Sequence, residues 1–171
     1  TANKCLHGVP GICFVLVDRR VIGTKKSGAP SLYLDLFRYH ETQRDGTSPY
    51  TQSVHACFAL QEALRELAEQ GGQESRRARY RSLTGRIRAC LSELGVETLL
   101  PPDASSSMIT AYRLPSGHTY AGLHDALKRA GFVIYAGQGN LGDAIFRIAT
   151  MGDIRDDDVD RLLDAFADVL S

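Results

Sequence analysis

The chain has 171 residues, 43% of them hydrophobic, which suits one globular domain or one small domain with part of another. Twenty basic side chains balance twenty acidic ones, so no global field attracts nucleic acid or an anionic membrane. The longest unbroken apolar run, residues 12–17, is far too short to span a bilayer, and Cys5, Cys13, Cys57 and Cys90 lack metal-binding spacing and read as reduced thiols of a cytoplasmic protein.

The chain opens on "TANKCLHGVPG", where Lys4 stands ahead of a Gly/Pro turn and an apolar run. A lysine at a strand–turn junction beside small residues is either an ordinary surface amine or a nucleophile toward a carbonyl, since partial burial destabilises the ammonium. Residues 12–17 read as a buried strand, with Val21 and Ile22 as a returning strand after Asp18-Arg19-Arg20. "KKSGAPS" reads as a loop, "LYLDLFRYHE" as a helix with Ser31 as N-cap, and "TQRDGTSPYT" as loop again. A helix over 53–70 closes on Gly71-Gly72, and a second, arginine-rich helix over 74–94 closes on Gly95. Six arginines on it could face RNA, but no aromatic platform is interleaved, so a solvated helix face is the simpler reading.

From Glu97 the texture changes. "ETLLP", "SMITAYRLP", "FVIYAG" and "AIFRIAT" are four strand-like runs, with a helix over 120–130 between the second and third and a last helix over Asp156–Leu170. Residues 73–171 therefore predict a self-contained α+β domain, whereas 1–72 have too few strands to close a sheet. Arg147 sits inside an apolar strand, where it needs either a salt bridge or a planar acid to grip. "YAGQGNLGD" lacks the context of a phosphate loop and reads as a mobile inter-strand loop, and the five histidines have no metal spacing. With no initiator methionine and its oddest motif at the very start, the chain reads as a piece of something longer.

"T-x-N-K-C-x-x-G-V-P-G" before an apolar strand resembles the cofactor-lysine segment of the 2-aminoethylphosphonate–pyruvate aminotransferase family, in the class V branch of fold-type I pyridoxal-phosphate enzymes. "SLYLDLFRY", "SPYTQSVHACFALQEALREL" and "GFVIYAGQGNLGDAIFRIATMGD" resemble further stretches of that family in the same order. The resemblance implies an α/β fold: 1–72 as the end of a large cofactor domain, and 73–171 as a small domain with a short, mostly antiparallel sheet. It implies pyridoxal 5′-phosphate as cofactor, with Lys4 as its covalent attachment and proton carrier. Thr1 and Asn3 would lie against the cofactor phosphate, or merely cap a turn. Ser48 and Thr51 match the hydroxyls of the family's Thr-Pro-Pro-Thr, which reach the neighbouring subunit's phosphate and so imply a homodimer. Arg147 would grip the substrate acid. The implied reaction moves an amino group from 2-aminoethylphosphonate to pyruvate. Tyr50 stands where that segment has proline, and Gln138 where the family has lysine. These departures leave room for another small amino donor, and Tyr50 is expected to crowd the substrate entrance. A non-catalytic C-terminal or dimerisation domain is the remaining alternative.

Overall fold

The computed structural model describes residues 1–22 and 27–170, in two compact units, Thr1–Leu64 and Arg65–Ser171. Lys25 and Lys26 of the expected loop lie outside the described residues.

In the first unit the strand expected over 12–17 is absent. The backbone there is irregular, and Phe14, Val15, Leu16 and Val17 are exposed. A strand needs a neighbour for its N–H and C=O groups, and among the described residues none pairs with this stretch. Val21 and Ile22 end a single helical turn, α1 (Arg19–Ile22), instead of a returning strand. Its bend is set by Asp18, whose carboxylate accepts from the Arg20 amide at 2.8 Å.

Helix α2 covers Leu36–Arg44, and its cap is Asp35, not Ser31. The Asp35 carboxylate accepts from the amides of Phe37 (3.0 Å) and Arg38 (3.3 Å) and from the Ser27 hydroxyl. A buried carboxylate is the stronger acceptor at a helix start, so the helix begins four residues later than Ser31 would place it. That Ser27 hydrogen bond, with the two amides, holds the Asp35 carboxyl below the usual carboxylate range. Helix α3 covers Val54–Glu69, with Ala56 and Ala63 buried.

The second unit holds a formed core. Helix α4 runs unbroken over Gly72–Glu93, through Gly85. Three strands follow, β1 (Ile109–Arg113), β2 (Tyr135–Ala136) and β3 (Ile145–Ala149), in an antiparallel sheet of order β1-β3-β2. The fourth expected strand, "ETLLP", shrinks to a bridge between Thr98 and Tyr112 with backbone bonds on either side. Pro101 and Pro102 stop it, since neither can donate to a ladder, and the chain turns into a 3-10 turn at Pro102–Ala104. Helix α5 (Tyr120–Arg129) lies between β1 and β2, and α6 (Asp156–Leu170) ends the unit and packs on α4 and α5.

Alternation along β1 and β3 turns Tyr112, Phe146 and Ile148 into one core with Leu83, Ile87 and Leu91 of α4, Leu123 and Leu127 of α5, and Phe166 of α6. Phe146 is fully buried and stacks between Tyr112 and Phe166, with ring centroids 5.3 Å and 5.9 Å away. The arginines of α4 are not simply a solvated face. Arg86 pairs with Asp156 (2.8 Å) and Asp160 of α6, and Arg88 donates to Thr110 of β1 and to the Ser106 carbonyl.

Candidate functional site

In the first unit, the start of the chain folds into a closed loop. The Gly8 amide donates to the Ala2 carbonyl and the His7 amide to the Lys4 carbonyl, both at 2.9 Å. His7 takes a positive φ of 63°, and a Cβ on Gly8 would stand 2.8 Å from the Ala2 side chain, so only glycine closes the loop this tightly. Ala2 is buried beneath, and Lys4 projects from the loop as an exposed amine. The Thr1 hydroxyl donates to Asn3 Oδ1 at 2.7 Å, which brings those two predicted residues together beside Lys4 in sequence.

The Ser48–Thr51 segment leaves α2 through Gly46, which has a positive φ of 72°. The Gln52 amide nitrogen donates to the Ser48 hydroxyl at 2.6 Å and to the Tyr50 carbonyl at 3.3 Å. With an acceptor site of Ser48 Oγ filled from within the chain, its proton remains available to a further acceptor. Thr51 is exposed. Among the described residues neither Ser48 nor Thr51 hydrogen-bonds Thr1, Asn3 or Lys4, so there the two groups of candidate residues stay separate.

The Tyr50 hydroxyl donates to the Leu32 carbonyl at 3.0 Å, and the Tyr50 ring lies 5.0 Å from that of Tyr33 and 5.8 Å from that of Tyr39. The Arg38 guanidinium sits 5.7 Å from the Tyr50 ring centroid. Burial, followed by the neighbouring Tyr33 and Tyr50 phenols, raises the Tyr39 pKa. In the sequence Tyr33 and Tyr39 fall within one predicted helix, "LYLDLFRYHE", which does not show this cluster. Three tyrosines converging across a turn-rich segment were its only signal.

In the second unit, Arg147 lies on the central strand β3, opposite Ala111 of β1 and Tyr135 of β2. It faces away from Phe146 and Ile148 and is half-buried. Its Nε donates to the Ala136 carbonyl at 2.8 Å, and no carboxylate pairs with it among the described residues. The internal salt bridge considered for Arg147 is therefore absent there, and the anchored Nε fixes the plane of the fork. The turn after β2 needs Gly137, whose Cβ would come within 2.1 Å of the Leu141 carbonyl oxygen. What read as a mobile loop is a hydrogen-bonded turn, with Leu141 N donating to Gln138 O and Gly142 N to Gly139 O. Gln138 itself is exposed.

Among the described residues no His, Cys, Asp or Glu cluster could hold a metal ion, all four cysteines are thiols, and no helix is long and apolar enough to cross a membrane.

No protein-family model matches the chain. It is 38% identical, over 98% of its length, to a 2-aminoethylphosphonate–pyruvate transaminase of Bacillus mycoides, and covers 46% of that protein. The chain thus spans about half the length of the curated relatives it matches. Among solved structures it is similar to the ureidoglycine–glyoxylate aminotransferase of Bacillus subtilis, with a TM-score of 0.82 and 25% identity over 99% of this chain and 45% of the other. It also shares the fold of the alanine–glyoxylate aminotransferase of a Nostoc species, with a TM-score of 0.83 and 23% identity over 99% of this chain and 46% of that one. The chain has the fold of part of a class V, fold-type I aminotransferase.

Proposed function

We propose that this chain is the C-terminal half of a pyridoxal-phosphate enzyme that moves an amino group from 2-aminoethylphosphonate to pyruvate, giving phosphonoacetaldehyde and alanine. The observation that carries the reading is the 38% identity to a transaminase of that name along 98% of the chain. The domain division we propose is 1–72 as the end of the cofactor domain and 73–171 as the small domain.

The residues present fit the cofactor. The loop from Ala2 to Gly8 is closed by tight backbone contacts, and it leaves the Lys4 amine exposed. Pyridoxal phosphate, when bound, supplies the electron sink that makes the amine-bearing carbon of the donor acidic. Lys4 would attach the cofactor and, through Nζ, move the proton between that carbon and the carbonyl carbon of the cofactor. Thr1 and Asn3 offer polar atoms to the phosphate. Ser48 and Thr51 offer hydroxyl donors to the phosphate held by a second copy, which makes the enzyme a homodimer. Arg147, its plane fixed by Ala136, grips the acid group of the substrate through its remaining N–H donors. The four thiols suit a cytoplasmic protein.

Borohydride treatment of the full-length protein with pyridoxal phosphate should fix the cofactor on Lys4, located by peptide mass. An amino-donor screen with pyruvate should then form alanine fastest from 2-aminoethylphosphonate. Label on another lysine, or none, overturns the role of Lys4. Alanine formed instead from another small amino acid supports the second reading, a class V enzyme of different donor, which the departures at Tyr50 and Gln138 favour. The 171-residue chain alone should bind cofactor weakly and form no alanine; turnover by it would refute that.

A further inference from the structure

We infer that Tyr50 is a positioning residue, which clamps the Ser48–Thr51 segment onto the start of α2 and so sets where its two hydroxyls point. The inference rests on the reading above that Ser48 and Thr51 donate to a cofactor phosphate.

Four contacts from residues 32–39 converge on this one side chain: the Leu32 carbonyl, the rings of Tyr33 and Tyr39, and the Arg38 guanidinium. Among the described residues nothing comparable holds Ser48 or Thr51 themselves; there Ser48 is braced by Gln52, the residue after the segment, which also bonds the Tyr50 carbonyl. Just ahead of the segment, Thr47 donates its amide and hydroxyl to the Thr42 carbonyl, so the segment's entry is tied to the end of α2, while its middle is tied through Tyr50 to residues 32–39. A phosphate held by hydroxyls in an exposed loop loses affinity when that loop must be ordered on binding. A side chain that orders the loop beforehand removes the loss without touching the ligand. The Tyr50 hydroxyl bond fixes the segment against Leu32, ahead of α2, and the ring contacts with Tyr33 and Tyr39 fix its depth.

The test compares affinities for pyridoxal phosphate and pyridoxal in the full-length protein, because only the former carries the group the hydroxyls would bind. Tyr50→Leu should weaken pyridoxal phosphate about tenfold and leave pyridoxal within about twofold, the loss of one well-placed hydrogen bond being worth roughly that factor. Tyr50→Phe, which keeps the ring and removes the Leu32 bond, should fall between Tyr50→Leu and the native protein. Ser48→Ala and Thr51→Ala calibrate the phosphate contact directly. If those two leave the ratio unchanged, the phosphate reading is wrong. If they lower it and both Tyr50 variants do not, the phosphate reading stands and the clamp is overturned. If Tyr50→Leu weakens both ligands equally, or fails to fold while Tyr50→Phe matches the native ratio, Tyr50 is merely structural and the inference is likewise overturned.

Discussion

Tyr112 shows what a single buried atom does to the second unit. Its ring completes the stack on Phe146, yet its hydroxyl has no hydrogen-bond partner among the described residues. Thr110 and Arg88 lie near enough to favour the phenolate slightly, without reaching hydrogen-bond geometry, and burial outweighs them, pushing the pKa up to about 12. In the unfolded chain the phenol ionises near its ordinary value of about 10. Between those values the unfolded state sheds a proton that the folded state keeps, so native stability falls as pH rises from about 10 to 12, by on the order of 2 kcal/mol. Below pH 10 the group contributes no slope. Tyr112→Phe should remove that alkaline loss and leave neutral-pH stability unchanged or slightly higher, since the lost hydroxyl satisfied nothing. Urea midpoints measured from pH 8 to 12 check it. Parallel pH profiles for the two proteins would show that Tyr112 ionises alike in both states.

Between elements, α4 is joined to the sheet by a polar seam as well as by its apolar face. The buried Thr84 hydroxyl donates to the Ser107 carbonyl at 2.9 Å and lies 3.1 Å from the Thr150 hydroxyl, while Arg88 bonds Thr110 and Ser106. Thr84→Val keeps the shape but takes the hydroxyl donor from the part-buried Ser107 carbonyl and leaves the buried Thr150 hydroxyl with only its longer bond to the Met108 carbonyl, 3.4 Å. It should cost about 1–2 kcal/mol, with Thr84→Ser losing less, as read from chemical unfolding. Equal losses from the two variants would assign the effect to packing. None of this seam was legible in the sequence, where Thr84 and the three serines at 105–107 carry no periodicity. What was legible is what periodicity and caps dictate: α6 begins at the aspartates and ends where its pattern ends, and α4 closes before Gly95. Gly85 did not break α4, because packing of Leu83, Ile87 and Leu91 outweighs the helix penalty of about 1 kcal/mol for one glycine. The start of α2 was misread because two capping residues competed, and only the folded structure shows Ser27 and two amides meeting on Asp35.

At the scale of the molecule the two units differ in kind. The second has a formed core of large side chains. Among the described residues of the first, the buried ones are only Ala2, Asp35, Ala56 and Ala63, while Leu16 is 91% exposed and Leu34, Leu32 and Phe58 lie at 70%, 66% and 65%. The compact units divide between Leu64 and Arg65, inside α3 and ahead of the glycine pair that the sequence suggested as the boundary. An apolar run such as 12–17 specifies a strand in its own pattern, but a strand exists only when paired, and pairing is a property of neighbours that this stretch of sequence does not contain. The site was legible to the same extent: the residue types of Lys4, Ser48, Thr51 and Arg147 could be read, whereas the Tyr50 clamp depends on contacts across a turn. Hydrogen exchange on the 171-residue chain tests this picture. Backbone amides of residues 12–17 should exchange at the rates of an unstructured peptide, while those of β3 and the middle of α4 are protected to the level of global unfolding. A longer chain that places strands beside 12–17 should protect these same amides. Protection of 12–17 in the 171-residue chain itself would mean that the strand already has its partner there, and the picture of an unpaired stretch would be wrong.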